Sequence, residues 1–380
     1  MITGIRNTLV QLRSWTDVRR IALDLYPDRR EAQQAIAALR SLSLENRRIR
    51  HLTRSVKVDG RIHQVMSRPG WPSPAWDRFV RNELLRLRPA PGERPGIQVL
   101  IVAMTRKCPL ACAHCCEGDH LNQRDVLSTD DVLAIIASFR ARGCAQVELS
   151  GGEPLNRFND LLRIVRESAT EAMDLWVLSS GWGLTDERAA QLREAGLTGM
   201  SISVDHWDPE AHDRFRGRHG SFTHARNAVR QARKAGLVAA VSLVPTRSFC
   251  RLDDLLRYAD MAADLGAHFI RIVEPRAAGN YADQDVELGG AEHAVLDQFV
   301  RLVHTDGRYR HHPIVDHYGS YQRAVGCSGA GRRFLYVDTN GEVMTCPFCR
   351  AGCGNALTTP LDLIEKELRE RHGCARYATV

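Results

Sequence analysis

The chain has 380 residues, which is more than one ordinary hydrophobic core accommodates and suits two or three domains. Hydrophobic residues make up 44% of the chain and charged residues 26%, values typical of a soluble globular protein. The excess of Lys and Arg gives a net charge of +7, but the chain has no run of five like charges. This pattern does not indicate a nucleic-acid partner, although it is compatible with an anionic substrate.

Residues 1–95 are predicted to form a helical region with one hairpin. Two amphipathic helices are indicated before about residue 50. The apolar side chains that share one side of the first helix are Ile5, Leu9, Leu12, Trp15 and Ile21. Such a basic helix can contact a membrane surface or a partner, or pack on its own domain. Alternating residues at 55–65 indicate a β-hairpin, and a helix at about 75–87 precedes a Pro-rich linker. We expect this region to bind substrate or a partner.

Residues 96–280 alternate regularly between strand-like and helix-like segments. The strand-like runs lie at about 98–104, 146–150, 174–179, 198–204, 238–244 and 268–273. Glycines stand where the helices between them should end, at Gly143, Gly196, Gly236 and Gly266. Six such repeats predict parallel strands with right-handed crossovers, and therefore an α/β fold built on a partial (β/α)6 TIM-like barrel. In these barrels the loops that follow the strands carry the chemistry.

Eleven cysteines lie mostly in two groups far apart in the chain, which indicates metal binding rather than a set of extracellular disulfides. The chain begins without an apolar segment long enough for export or membrane spanning. We therefore expect a cytoplasmic protein, because thiolate clusters require a reducing compartment.

The first group, Cys108, Cys112 and Cys115, follows the first predicted strand, with three and then two residues between its members. Three thiolates on one short loop can bind three irons of a 4Fe–4S cluster and leave the fourth iron without a protein ligand. A structural zinc site would require a fourth protein ligand. We expect a cluster whose open iron binds another molecule.

Further residues at the ends of later strands suit a polar ligand. These residues are Gly151, Gly152, Glu153, Pro154, Ser179, Ser203 and Asp205, and His114 lies beside the third cysteine of the loop. The glycines let backbone groups approach a ligand, because they have no Cβ atom. Ser179 and Ser203 either contact the ligand or make ordinary hydrogen bonds at strand ends.

The cysteine spacing and these strand-end segments together resemble the radical S-adenosylmethionine (radical SAM) enzymes over about residues 96–355. The resemblance implies that S-adenosylmethionine (SAM) chelates the open iron and that His114 and the strand-end residues contact it. A cluster reduced by a flavodoxin or ferredoxin would then cleave SAM to a 5′-deoxyadenosyl radical, which abstracts hydrogen from the substrate. Residues 212–222, which include Asp213 and Arg216, match a turn common in the peptide-modifying branch.

Residues 281–380 have an irregular pattern and contain the second group of cysteines. A hairpin is predicted at 334–345, between Cys327 and Cys346. This arrangement resembles the opening of the SPASM or twitch extension of radical SAM enzymes. The resemblance implies one auxiliary 4Fe–4S cluster with the ligands Cys327, Cys346, Cys349 and Cys353. Cys374 is an alternative to Cys349 or Cys353, and zinc is an alternative metal.

The remaining cysteines and the polar residues near the C-terminus have less specific interpretations. Cys144 and Cys250 are expected to lie in the core as small hydrophobic residues, and Cys116 is expected not to be a ligand. No residue is identified as a general base or radical quencher. The polar residues at 311–318 either lie near the mouth of the site or form a solvated loop.

Three functions fit these features. The favoured one is modification of a ribosomally made peptide, because many relatives with auxiliary clusters act on peptides. The second is radical tailoring of a small molecule or lipid, by dehydrogenation or carbon–carbon bond formation, with peripheral membrane contact through the N-terminal helix. The third is a non-enzymatic iron–sulfur scaffold or sensor, which would have no use for the segment at 151–154.

Overall fold

The computed structural model describes residues 1–327 and 329–371. The N-terminal region contains three helices and one hairpin: α1 (Gly4–Leu25), α2 (Arg29–Ile49), β1 (Val56–Val58), β2 (Arg61–His63) and α3 (Pro74–Leu87). All of these elements were predicted. The apolar side of α1 is buried only in part, because Ile21 is buried whereas Ile5, Leu9 and Leu12 are exposed. No helix in the described ranges is long and apolar enough to cross a membrane.

The six predicted strands are all present, within two residues of the expected limits. They are β3 (Val99–Ala103), β4 (Gln146–Ser150), β5 (Asp174–Ser179), β6 (Gly199–Ser203), β7 (Val238–Leu243) and β8 (Phe269–Ile272). The helices between them are α4 (Thr129–Ala141), α5 (Phe158–Ser168), α6 (Asp186–Glu194), α7 (Pro209–Arg216), α8 (Ser221–Lys234) and α9 (Leu252–Asp264). The four glycines predicted to end helices have positive φ angles, between 75° and 105°, which glycine adopts without a steric penalty.

The C-terminal part is more regular than its sequence pattern suggests. It contains α10 (Gly290–Thr305), β9 (Ile314–His317), α11 (Tyr318–Val325), β10 (Phe334–Val337), β11 (Glu342–Cys346), β12 (Cys349–Asn355) and α12 (Leu361–Glu370). Strand β9 pairs in parallel with β8, and β10 pairs in parallel with β3. The predicted barrel-like α/β fold is therefore confirmed and extended by one parallel strand on each edge.

Strand β9 also settles the interpretation of the polar residues at 311–318. Asp316 and His317 are 7% and 1% exposed within this strand, so the expectation of a solvated loop is wrong for both. Asp316 is buried because Arg50 of α2 pairs with it and the backbone N–H of Met66 donates to it over 2.8 Å. Two buried partners offset the cost of removing the carboxylate from water.

The N-terminal region closes the amino end of the barrel. Val56, Val58 and Met66 pack against inward-facing residues that begin their strands, among them Val238 of β7 and Phe269 of β8. Ion pairs at the edge of this contact join Arg61 to Asp174 over 2.6 Å and Arg193 to Asp59. Burial of this apolar surface stabilises the attachment of the N-terminal region to the barrel.

We expect Met66→Ala to lower the free energy of unfolding by about 2–5 kcal/mol, because it removes a side chain that fills the amino end of the barrel. Urea denaturation of the apoprotein would measure this change. Lys57→Ala, at an exposed position of the hairpin that precedes Met66, should change the value by less than about 0.5 kcal/mol. Equal effects of the two substitutions would show that the packing of Met66 does not stabilise the barrel.

Candidate active site

Backbone hydrogen bonds from two other segments hold the loop that contains Cys108, Cys112 and Cys115. The carbonyl oxygens of Phe215 and Arg216, at the end of α7, accept from the backbone N–H groups of Ala113 and Ala111, both over 3.1 Å. Asn280 donates through its side chain to the Cys112 carbonyl and through its backbone N–H to the Cys115 carbonyl, both over 2.9 Å. The loop conformation is therefore set by protein contacts.

The three thiols are largely shielded from water. Cys112 is buried and the other two are partly buried, and burial raises the pKa of Cys108 to about 12 and that of Cys115 to about 11. Burial thus disfavours the free thiolates of Cys108 and Cys115, and bonds to a metal would be needed to hold them in that form. Arg216 donates through Nη1 to the Cys112 sulfur over 3.6 Å, so positive charge lies beside this sulfur.

Metal binding by the three cysteines stays a prediction. No three His, Cys, Asp or Glu side chains within the described ranges converge on one metal position. An iron–sulfur cluster has a different requirement, because each thiolate binds a different iron. What the structure gives for such a site is one fixed loop that contains the three cysteines, with Arg216 beside Cys112.

The glycines at 151 and 152 allow a close approach within the protein, and their predicted contact with a ligand stays a prediction. A Cβ atom at Gly151 would lie 2.5 Å from the carbonyl oxygen of Thr105, and one at Gly152 would lie 2.5 Å from that of Lys107. The backbone N–H groups of Gly152 and Glu153 donate to the same two carbonyls, both over 2.7 Å. The glycines therefore allow the segment after β4 to approach the chain that leads into the cysteine loop.

Glu153 is fully buried, and its carboxylate accepts several hydrogen bonds. The donors are the Ser179 hydroxyl (2.7 Å), the Ser180 backbone N–H (2.7 Å), the Leu155 backbone N–H (3.0 Å) and the Ser180 hydroxyl. Burial raises the pKa of this carboxyl group, so an approaching ammonium group would stabilise its charged form. Ser179, which was predicted to contact a ligand, holds Glu153 in place. Pro154 begins the short helical turn that Glu153 caps.

Asp205 was predicted to contact a ligand. In the structure it holds Arg216. One carboxylate oxygen of Asp205 accepts from Arg216 Nε over 2.5 Å, and the other accepts from the Val244 backbone N–H over 3.0 Å. His114 stacks on Phe215 with ring centroids 4.7 Å apart and planes inclined by 10°. Burial, together with the nearby Arg216 charge, lowers the pKa of His114 to about 4, so its ring is neutral at pH 7.

Phe215 could not have been identified as a site residue from its position in the sequence. Only the fold of α7 against the cysteine loop places it beside His114. Ser203 ends β6, where it is paired in register with Ser242 of β7 and is partly buried. Its predicted contact with a ligand stays a prediction.

The second group of cysteines is brought together only in part. Cys327, Cys346 and Cys349 line one cavity of about 400 Å³, which we call the central cavity. Cys346 and Cys349 are paired across β11 and β12, and a hydrogen bond between their side chains raises the pKa of Cys346. Cys353 instead lies in the main hydrophobic core, as do Ile364 and Leu368 of α12. Cys374 lies outside the described residues. Cys353 as a metal ligand stays a prediction.

The central cavity extends through the barrel between β9 and β10. Its lining includes Met66 and Arg68 from the N-terminal region, Glu148 and Arg271 from the barrel wall, and Glu274 after β8. Burial alone would raise the pKa of Glu274, but a hydrogen bond with His317 and the charges of His317 and Arg323 hold it at about 2. The cavity wall is therefore charged at neutral pH.

Glu117 joins the two cysteine-bearing segments. Its carboxylate accepts from the Tyr336 hydroxyl over 2.6 Å and lies 3.0 Å from Arg350 Nη2. Glu117 follows Cys115 by two residues, and Arg350 directly follows Cys349. The position of one group of cysteines is thus coupled to that of the other.

As expected, Cys144 and Cys250 lie in the main core.

Gly279→Ala should disrupt the cysteine loop, because Gly279 has a φ of +58° and an added Cβ would clash with the Cys115 carbonyl. We expect a loss of about 1–3 kcal/mol in unfolding free energy, with reduced iron uptake on anaerobic reconstitution. Gly290→Ala is the matched control, since nothing lies within 4 Å of its added Cβ. Normal iron uptake by Gly279→Ala would contradict the proposed importance of this contact.

Comparison with known proteins identifies the family. Residues 102–272 match the model of the radical SAM superfamily. A PqqA peptide cyclase of Streptomyces rochei is 30% identical over 289 residues, covering 73% of this chain and 76% of the relative. An AdoMet-dependent heme synthase of Nitratidesulfovibrio vulgaris is 25% identical over 288 residues, covering 70% and 78%.

The fold has a counterpart among solved structures. The crystal structure of Streptococcus suis SuiB bound to precursor peptide SuiA superposes with a TM-score of 0.61 at 12% identity, covering 89% of this chain and 80% of SuiB. This likeness concerns the fold. The match to the radical SAM model and the identity to the cyclase carry the assignment: the chain is an enzyme of the radical SAM superfamily.

Proposed function

We propose that this enzyme uses radical chemistry to modify a peptide. When bound, the 4Fe–4S cluster and SAM supply a carbon-centred radical that removes a hydrogen atom from the substrate. Cys108, Cys112 and Cys115 are the proposed ligands of the cluster. The reductant is proposed to be a flavodoxin or ferredoxin in the cytoplasm.

The remaining site residues orient these groups. We propose that Glu153 binds the ammonium group of SAM. Hydrogen bonds already fix its carboxylate, and a cation would stabilise the charge of this buried group. Arg216 directs positive charge toward Cys112. His114 and Phe215 provide a neutral stacked surface beside the loop, suited to a flat ring such as adenine. Fixed groups of this kind reduce the reorganisation that the reaction requires.

The identity to the PqqA peptide cyclase over 73% of this chain is the observation that carries the peptide assignment. The central cavity is consistent with it. A volume of about 400 Å³ lies within the range of ligand sites and suits a few residues of a peptide. Pairs such as Glu148 with Arg271, 3.0 Å apart, give its wall charged groups that can fix polar side chains.

Small-molecule tailoring is the second candidate, favoured by the identity to a heme synthase. A scaffold or sensor role is set aside, because the chain belongs to a family of enzymes.

Residues 1–95 form the floor of the central cavity in this proposal, and so contribute to substrate binding. Cys327, Cys346 and Cys349 would hold an auxiliary 4Fe–4S cluster. Its fourth ligand is proposed to be Cys353 after a local rearrangement, or a residue outside the described ranges.

The proposal is tested by anaerobic incubation of the reconstituted enzyme with SAM, dithionite and short peptides encoded beside its gene. We expect release of 5′-deoxyadenosine, together with a peptide product that has lost two hydrogens or gained a crosslink, as read by mass spectrometry. The Cys108→Ala/Cys112→Ala/Cys115→Ala variant should give neither product. Undiminished release of 5′-deoxyadenosine by this variant would contradict the assignment of the cluster.

Iron analysis supplies the control for that variant. It should retain about four irons in the auxiliary cluster, whereas iron near zero would show that the second group of cysteines holds no cluster. Cys116→Ser is the matched single substitution and should retain both clusters. If the enzyme cleaves SAM but leaves peptides unchanged and modifies a tetrapyrrole, the peptide assignment fails and the second candidate replaces it.

A further inference from the structure

Arg68 differs from the other arginines that line the central cavity. Four of these have carboxylate partners: Arg50 with Asp316, Arg271 with Glu148 (3.0 Å), Arg276 with Glu274 (3.7 Å) and Arg333 with Glu83 (2.8 Å). Within the described ranges, no carboxylate lies at ion-pair distance from Arg68. The cavity thus contains one guanidinium group whose charge is not paired by the protein.

The contacts of Arg68 leave much of its donor capacity unused. Nη1 donates to Gln64 Oε1 over a long 3.3 Å, and the guanidinium carbon lies 5.7 Å from the centre of the Phe79 ring. Nε is buried and has no hydrogen-bond partner among the described residues. Burial and the neighbouring Arg50 charge lower the pKa of Arg68 to about 10, so the group is still a cation at neutral pH.

The surroundings of Arg68 favour an anionic ligand. Glu83 and Asp316 act on Arg68 at longer range, but Glu83 is bound by Arg333 and Arg86, and Asp316 is bound by Arg50. Four guanidinium groups, those of Arg50, Arg68, Arg86 and Arg333, therefore face two carboxylates. This excess of positive charge attracts an anion, and a carboxylate is the anionic group that a peptide carries.

We propose that Arg68 binds a carboxylate of the substrate at the floor of the central cavity. The guanidinium can donate from two nitrogens to one carboxylate, and such a pair is both directional and strong. Resting on the proposed function, the ligand is an acidic side chain or the terminal carboxylate of the peptide. Arg68 is then a determinant of specificity, placed in the active site by the N-terminal region.

The test uses the full-length reconstituted protein and two capped residues, N-acetyl-L-glutamic acid N-methylamide and its glutamine counterpart. The thermal midpoint of unfolding, followed against probe concentration, reports binding to the native state. We expect the glutamate probe to raise the midpoint saturably and the glutamine probe not to do so. Arg68→Gln should raise the apparent dissociation constant of the glutamate probe about tenfold or more. Arg48→Gln, at an exposed position of α2, should leave this constant unchanged.

Stability without the probe distinguishes binding from a structural role. Because Arg68 has no carboxylate partner in the described protein, Arg68→Gln should have an equal or higher midpoint in the absence of probe. A lower midpoint together with an unchanged response to the glutamate probe would overturn the proposal.

A third arm tests the source of the carboxylate. Mesoporphyrin IX carries two propionate groups and represents a tetrapyrrole substrate. If it binds in an Arg68-dependent manner and the glutamate probe does not, the peptide source is overturned while the carboxylate contact stands. Release of 5′-deoxyadenosine, measured separately on the unsubstituted enzyme, tests the radical chemistry without reference to Arg68.

Discussion

The bridge from Asp205 through Arg216 to the Cys112 sulfur is the interaction on which the candidate active site depends. It connects the end of β6, the end of α7 and the cysteine loop after β3. Arg216 is buried between a carboxylate and a thiol, and both partners raise the pKa of its guanidinium group. Because its backbone carbonyl also accepts from Ala111, one residue fixes both the position and the electrostatic surroundings of the loop.

The barrel around this site is completed by segments from both ends of the chain. The N-terminal hairpin fills the amino end of the barrel, and the C-terminal strands extend the parallel sheet and bring cysteines to the wall of the central cavity. The ion pair of Arg333 with Glu83 of α3 joins the C-terminal segment to the N-terminal region. The central cavity is therefore lined by three parts of the chain.

The regular part of the fold and the place of the cysteine loop after β3 could be predicted from the sequence, because strand-helix alternation and cysteine spacing are local patterns. Long-range pairing could not be read in this way. Strand β9 is a four-residue segment beside histidines, and its buried Asp316 depends on Arg50, 266 residues away. The same limit applies to individual roles. Ser179 and Asp205 were recognised as polar residues at strand ends, but only the fold shows that they hold Glu153 and Arg216. Cys353 was grouped with its neighbours by spacing, whereas packing against α12 decides its position.

The reduction potential of the cluster that we propose Cys108, Cys112 and Cys115 bind tests the central claim most directly. The potential would be measured by anaerobic titration followed by electron paramagnetic resonance. The unsubstituted enzyme would be compared with the double variant Asp205→Asn/Arg216→Gln, in which both members of the buried ion pair are neutral. Arg214→Gln, at an exposed position of α7, is the control. Loss of a positive hydrogen-bond donor to a ligand sulfur disfavours the reduced cluster. We expect a more negative potential in the double variant and an unchanged potential in Arg214→Gln. An unchanged potential in the double variant, with the cluster intact, would contradict the role assigned to Arg216.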